Sequence, residues 1–248
     1  MMRRKKLASL AMYLAAFTTL LYFPSTANAA TSPTQHDAKD GPVQIFDYYE
    51  DENDSNNSYD CLNNECRGHI ITATDAAPEN NHTIVIGGAP GDSPDTGNPS
   101  KKISHTVTLR NVKIKSSSGP ALTIQNKAEV TLILEGINSL EGAKGSAGIY
   151  VEDGSAIIIE SKDKTANNKL TAKGGDTGAG IGGQSASAHG DITINSGTIE
   201  ATGGVSAAGI GCGSEGAIGN ITITGGKVTA TGGQSASAVH GMEPYPSG

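Results

Sequence analysis

The sequence predicts an all-β chain wound into a parallel β-helix of about five coils, with a short cap of strands and loop ahead of them. Three observations carry that prediction. Residues 178–204, GAGIGGQSASAHGDITINSGTIEATGG, and 207–233, AAGIGCGSEGAIGNITITGGKVTATGG, match without a gap at an offset of 29 residues, and looser copies lie at 119–145 and 146–175. Each copy holds three short runs in which apolar and polar residues alternate, the period of a strand with one buried face. Glycine makes up 33 of the 248 residues and no segment carries a helical period of useful length, which excludes a helix-bearing repeat.

Taken in order, the chain opens with Arg3-Arg4-Lys5-Lys6, an apolar run from Leu7 to Phe23 and an Ala27-Asn28-Ala29 site. Residues 1–29 are read as a cleaved secretory signal, with an uncleaved anchor as the competing reading. The mature protein is then expected to be secreted, at the cell surface or in a periplasm, without membrane insertion. The formal charge of −7 becomes −11 without the signal's four basic residues, which argues against nucleic acid and anionic membranes as partners.

Residues 30–68 are polar and acidic, in keeping with loops or a mobile segment, and Cys61 and Cys66 in CLNNEC are read as a small disulfide-closed loop. In residues 69–102, GHIITATDA and HTIVIGG read as strands that cap the open first coil, because a solenoid end exposes unpaired edges. Residues 103–241 hold the repeats, and 242–248 form a tail whose two prolines oppose further strand pairing.

Within the repeats the inward residues are read as three columns. Leu122, Ile149, Ile181, Ile210 and Val239 recur in the first run. The second carries Val130/Leu132, Ile157/Ile159, Ile192/Ile194 and Ile221/Ile223, and the third Leu140, Leu170, Ile199 and Val228. Stacking such columns buries a continuous apolar core that no single coil can close. Cys212 falls beside that core and is read as a packed, inert thiol, whereas His189 and His240 fall at turns and are read as surface residues.

The strings GPALTI, VTLILEGINSLEG, AGIYVEDG, GAGIGG, GDITINSGTIEATGG and GNITITGGKVTATGG resemble the bacterial family of secreted proteins named for a carbohydrate-binding domain. The resemblance covers roughly residues 103–241. It implies a right-handed β-helix, a bacterial surface or secreted protein, polysaccharide binding and calcium; it carries no site residue over.

The faces offer little acid–base chemistry. Outward positions are read as Thr108, Thr131, Ile158, Thr193 and Thr222 in the second run, and Glu141, Thr171, Glu200 and Thr229 in the third. A polysaccharide-cleaving enzyme needs converging carboxylates, and here a Thr-bearing coil separates the two glutamates, so no catalytic residue is assigned and no enzyme is expected. Tyr150, the one aromatic residue of the repeats, points outward as a platform for a sugar ring and joins Thr193, Glu200 and Thr222 as ligand-binding candidates. Glu152, Asp153, Asp176 and Asp191 are the candidate calcium ligands, although neither an EF-hand loop nor the calcium nonapeptide is present. The expected function is a non-catalytic module that binds polysaccharide or mediates adhesion. A structural stalk, which needs no site, is the alternative; an ice-binding Thr face, interrupted at Ile158, and a polysaccharide-degrading enzyme rank below it.

Overall fold

The computed structural model describes residues 34–37, 43–47, 61–62, 65–66, 69–72, 82–88, 103–163, 167–217 and 219–234. The predicted signal, Val239, His240 and the proline-bearing tail lie outside the described residues.

The described chain begins with β1 (Thr34–Asp37) and β2 (Val43–Asp47), continues through a hairpin of β3 (Cys61–Leu62) and β4 (Glu65–Cys66), and returns as β5 (His69–Thr72). Coils of three strands follow. The first is β6 (Ile84–Gly88), β7 (Ile103–Arg110) and β8 (Lys113–Lys115), and the second β9 (Leu122–Gln125), β10 (Ala128–Glu135) and β11 (Ile137–Glu141). Next come β12 (Ile149–Val151), β13 (Ala156–Ser161) and β14 (Lys169–Lys173), then β15 (Ile181–Gly182), β16 (Asp191–Ile194) and β17 (Thr198–Thr202). The last is β18 (Ile210–Gly211), β19 (Ile221–Ile223) and β20 (Lys227–Thr231).

Each coil adds one strand to each of three walls. The first wall is β2-β6-β9-β12-β15-β18, the second β1-β5-β7-β10-β13-β16-β19 and the third β8-β11-β14-β17-β20. All named pairs in the walls are parallel, no described residue is helical, and the architecture is a right-handed parallel β-helix.

The alternating pattern explains the core. In the first wall Ile84, Leu122, Ile149, Ile181 and Ile210 stand level with one another and are fully buried. In the second, Val130-Ile157-Ile192-Ile221 and Leu132-Ile159-Ile194-Ile223 form two neighbouring columns. Each fully buried Ile or Leu contributes on the order of 2–3 kcal/mol by leaving water, and continuity along the axis lets every coil close its neighbour's face. Gly182 shows why the corners are glycine-rich. Its φ is +131°, and a Cβ there would lie 2.0 Å from the carbonyl oxygen of Gly211 in the next coil.

Two columns differ from the sequence reading, each because a polar residue occupies an apolar place. In the third wall Leu170, Ile199 and Val228 stand level with Asn138, whereas Leu140 stands level with Ala172, Ala201 and Ala230. Asn138 is fully buried because its amide serves the corner between the second and third walls. Its Oδ1 accepts the Val112 N–H at 2.9 Å and its Nδ2 donates to the carbonyls of Glu135 and Lys169 at 3.3 and 3.4 Å. In the second wall Thr106, not Thr108, is level with Thr131. The string VTL occurs at both 107–109 and 130–132 and invites the wrong match; the true pairing sets His105 opposite Val130.

The strands read as a cap extend the walls instead. β5 pairs in parallel with β7, and β6 with β9, so HIIT and IVIGG continue the second and first walls. The polar segment 30–68 also contributes, through β1 on β5 and β2 on β6. β1, TQHD, has no apolar alternation to reveal it. In the hairpin Cys61 is the direct antiparallel partner of Cys66, the juxtaposition that a cross-strand disulfide requires.

Candidate functional site

The strands distribute the four ligand-binding candidates over all three walls. Tyr150 lies in the first, Thr193 and Thr222 in the second and Glu200 in the third. Only Thr193 and Thr222 are neighbours, paired between β16 and β19 and continuing the row Thr106-Thr131-Ile158. Tyr150 is half-buried rather than an open platform. Burial, then the carboxylate of Glu152, push its phenol above the ordinary value, while a hydrogen bond with Ser187 pulls the other way.

Of the four calcium candidates Glu152 and Asp153 are adjacent, and among the described residues no three His, Cys, Asp or Glu gather as a metal centre requires. Three of the carboxylates already have partners. Glu152 Oε2 accepts the Asn126 N–H at 2.5 Å, Asp176 meets Lys144 at 3.6 Å, and Asp191 Oδ1 accepts both the backbone and side-chain N–H of Asn220 at 3.2 and 2.9 Å. Asp153 is exposed in the turn after β12. These oxygens are used to tie one coil to the next.

His189 corrects the surface reading. It is 1 % exposed, forms a bridge with Glu152, and its Nδ1 lies 2.7 Å from the Gly190 carbonyl while the Gly219 N–H approaches Nε2 at 3.4 Å. The backbone bridge to Glu152 and the ring's contact with Gly219 together link His189 to the coils on both sides, at the corner between the first and second walls. Cys212 is buried as expected, and that burial pushes its thiol above the ordinary range, which disfavours the thiolate.

The third wall holds the most regular outward face. Its columns are Lys113-Ser139-Thr171-Glu200-Thr229, Lys115-Glu141-Lys173-Thr202-Thr231 and Ile137-Lys169-Thr198-Lys227. Side chains two apart on a strand share the face, and successive coils repeat about every 4.8 Å, so hydroxyls and ammonium groups form a flat grid. Glu200 meets Lys169 at 2.7 Å, while Glu141 lies between Lys115 at 3.2 Å and Lys173 at 3.7 Å. The two glutamates thus belong to different columns and each is held by lysine. Five lysines against two glutamates make this wall cationic on a chain of net charge −7.

Sequence reasoning missed the lysines. The signal was present in KIK, KLTAK and KVTAT, where lysine alternates with apolar residues, but it emerges only once the third-wall columns are set two residues from the Leu140-based match.

Comparison with known families supports the architecture. Residues 192–214 and 221–241 match the family model described as a beta helix repeat. No curated protein and no solved structure matches the chain. The matched stretches take in β17 to β20 and all of β16 but Asp191, so the strands of the gapless repeat are also those similar to β-helix repeats.

Proposed function

We propose that this chain is a secreted or cell-surface, non-catalytic module that binds polysaccharide along its third wall. The observation that carries the reading is the flat outward grid of Ser139, Thr171, Thr198, Thr202, Thr229 and Thr231 interleaved with lysines. A glycan chain presents hydroxyls at regular intervals, and a rigid sheet meets it with weak contacts repeated from coil to coil. The lysines add attraction for acidic groups on the glycan. Reaction chemistry has no support on this face, since Glu200 and Glu141 are each engaged by ammonium groups in separate columns.

The test is retention of residues 30–248 on a panel of neutral and acidic polysaccharides at low and high salt, with and without a calcium chelator. Retention is expected to be strongest on acidic glycans and to fall with salt. The chelator is expected to leave it unchanged, because none of Glu152, Asp153, Asp176 and Asp191 lies on a third-wall strand. The combined substitution Lys113→Gln, Lys173→Gln and Lys227→Gln is expected to weaken retention at least about tenfold, equivalent to ~1.4 kcal/mol. Absence of retention by folded protein on every glycan would favour the structural-stalk reading.

A further inference from the structure

The second and third walls carry opposite charge on their outer faces. On the second, register places Asp37, Glu129, Glu135, Glu160 and Asp191 outward beside Arg110, and Lys162 follows β13. Five carboxylates against two cations make this wall anionic, next to a third wall with five lysines and two glutamates. Pairing within each wall does not cancel these charges. Glu160 and Asp191 accept hydrogen bonds from the neutral side-chain amides of Asn195 and Asn220, each at 2.9 Å. On the other wall Lys113 and Lys227 are exposed and meet no carboxylate among the described residues.

We propose that copies of this chain associate side by side, the third wall of one lying against the second wall of the next. Both walls are flat and advance by the same ~4.8 Å per coil, so rows of lysine and rows of carboxylate keep step along the axis, as a partner without this repeat would not. Apolar groups meet as well. Ile137 is 68 % exposed on the third wall, and Ile133 and Ile158 stand partly exposed on the outer face of the second, among Thr106, Thr108 and Thr131. Apolar side chains amid opposed charges suit a protein interface, and the opposed potentials decide which faces meet.

Two different walls make the contact, so it is heterologous. Each pair leaves one wall of either kind open for a further copy, and association extends into rows. Five strands about 4.8 Å apart and about five residues long give a wall of roughly 400 Å², at the low end for a protein contact, so the association is weak and reversible. The net negative charge of the chain drives copies apart at long range. At about 0.15 M salt that field fades over about 8 Å, whereas opposed groups in contact lie closer than this and keep their attraction. Glycan binding is no premise of the contact, and an acidic glycan on the third wall would compete with it.

Sedimentation of the mature chain, residues 30–248, from about 1 µM to about 1 mM tests the contact at about 0.15 M and about 1 M salt. Concentration-dependent association is expected at the lower salt, and its loss at the higher. Lys113→Glu with Lys173→Glu and Lys227→Glu gives the third wall the sign of the second; Glu129→Lys with Glu160→Lys gives the second wall the sign of the third. Each set alone is expected to weaken association at least about tenfold. Mixing the two variants is expected to restore it, because each then presents a wall complementary to the other's, although both chains stay net negative. Lys113→Gln with Lys227→Gln, which disturbs no ion pair, replaces the first set should that set fold poorly, and is expected to act in the same direction. A parent chain that stays monomeric at the lower salt, association that survives either set in folded protein, or a mixture that remains monomeric would overturn the proposal.

Discussion

Asn138 stands fully buried in a column completed by Leu170, Ile199 and Val228, and its amide carries three hydrogen bonds that close the second-to-third-wall corner. Replacing it with leucine would restore apolar continuity along the column. It would also remove the acceptor of the buried Val112 N–H, and an unsatisfied buried donor costs about 1–3 kcal/mol. Asn138→Leu is therefore expected to lower stability by about 1–3 kcal/mol despite the added apolar surface, as read from urea denaturation. Unchanged stability would show that the corner has another way to satisfy that amide. His105 and Asn138 share one cause for being illegible in the sequence. Alternation identifies an inward position by its apolar residue, so a polar residue placed inward shifts the apparent register by two and moves every outward neighbour with it.

At the scale of strands, the walls were legible where each repeat kept its pattern. Ile192 over Ile221 and Ile199 over Val228 follow directly from the gapless match of 178–204 to 207–233, and these strands lie where sequence periodicity placed them. The ligand-binding candidates were chosen for their outward direction in three different runs, and the structure sets those runs in three walls, so Tyr150, Thr193 and Glu200 share no face. Cross-coil electrostatics depend on register in the same way. Glu135 at the end of β10 lies 3.0 Å from Arg110 on β7 and 2.9 Å from Lys162 just after β13. Its hydrogen bond from Lys162 leads in holding the carboxyl below its usual value, with Arg110 assisting and partial burial opposing. Because the folded value is the lower one, this stabilisation is present above pH 4.5 and fades as pH falls below it. The three side chains are between about a quarter and about a half exposed, so solvent screens the pairs and Glu135→Gln is expected to cost only about 0.5–1 kcal/mol near neutral pH and less at high salt. Thermal denaturation at two salt concentrations measures that difference; a salt-independent loss would place the effect in packing instead.

Across the whole molecule, stability accumulates along one axis, and the position of a residue on that axis decides what its side chain is worth. Ile194 and Ile223 occupy the same column in successive coils, yet Ile194 is fully buried and Ile223 is 47 % exposed. The difference arises because Ile194 has a coil on each side, whereas among the described residues β19 pairs only with β16. Truncating a fully enclosed isoleucine removes its transfer free energy and leaves a cavity, so Ile194→Ala is expected to cost about 2–5 kcal/mol. At the last described coil less area is buried, and Ile223→Ala is expected to cost about 1 kcal/mol or less. Nearest-neighbour coupling sharpens the contrast. An interior break separates the upstream coils from the downstream ones, while a break at the last described coil leaves the coils upstream of it paired. Hydrogen exchange distinguishes these outcomes: Ile194→Ala should raise opening of β13, β16 and β19 together, and Ile223→Ala should raise it in β19 with β13 unaffected. Equal opening throughout the chain in both variants would mean that the solenoid unfolds as one cooperative block rather than coil by coil.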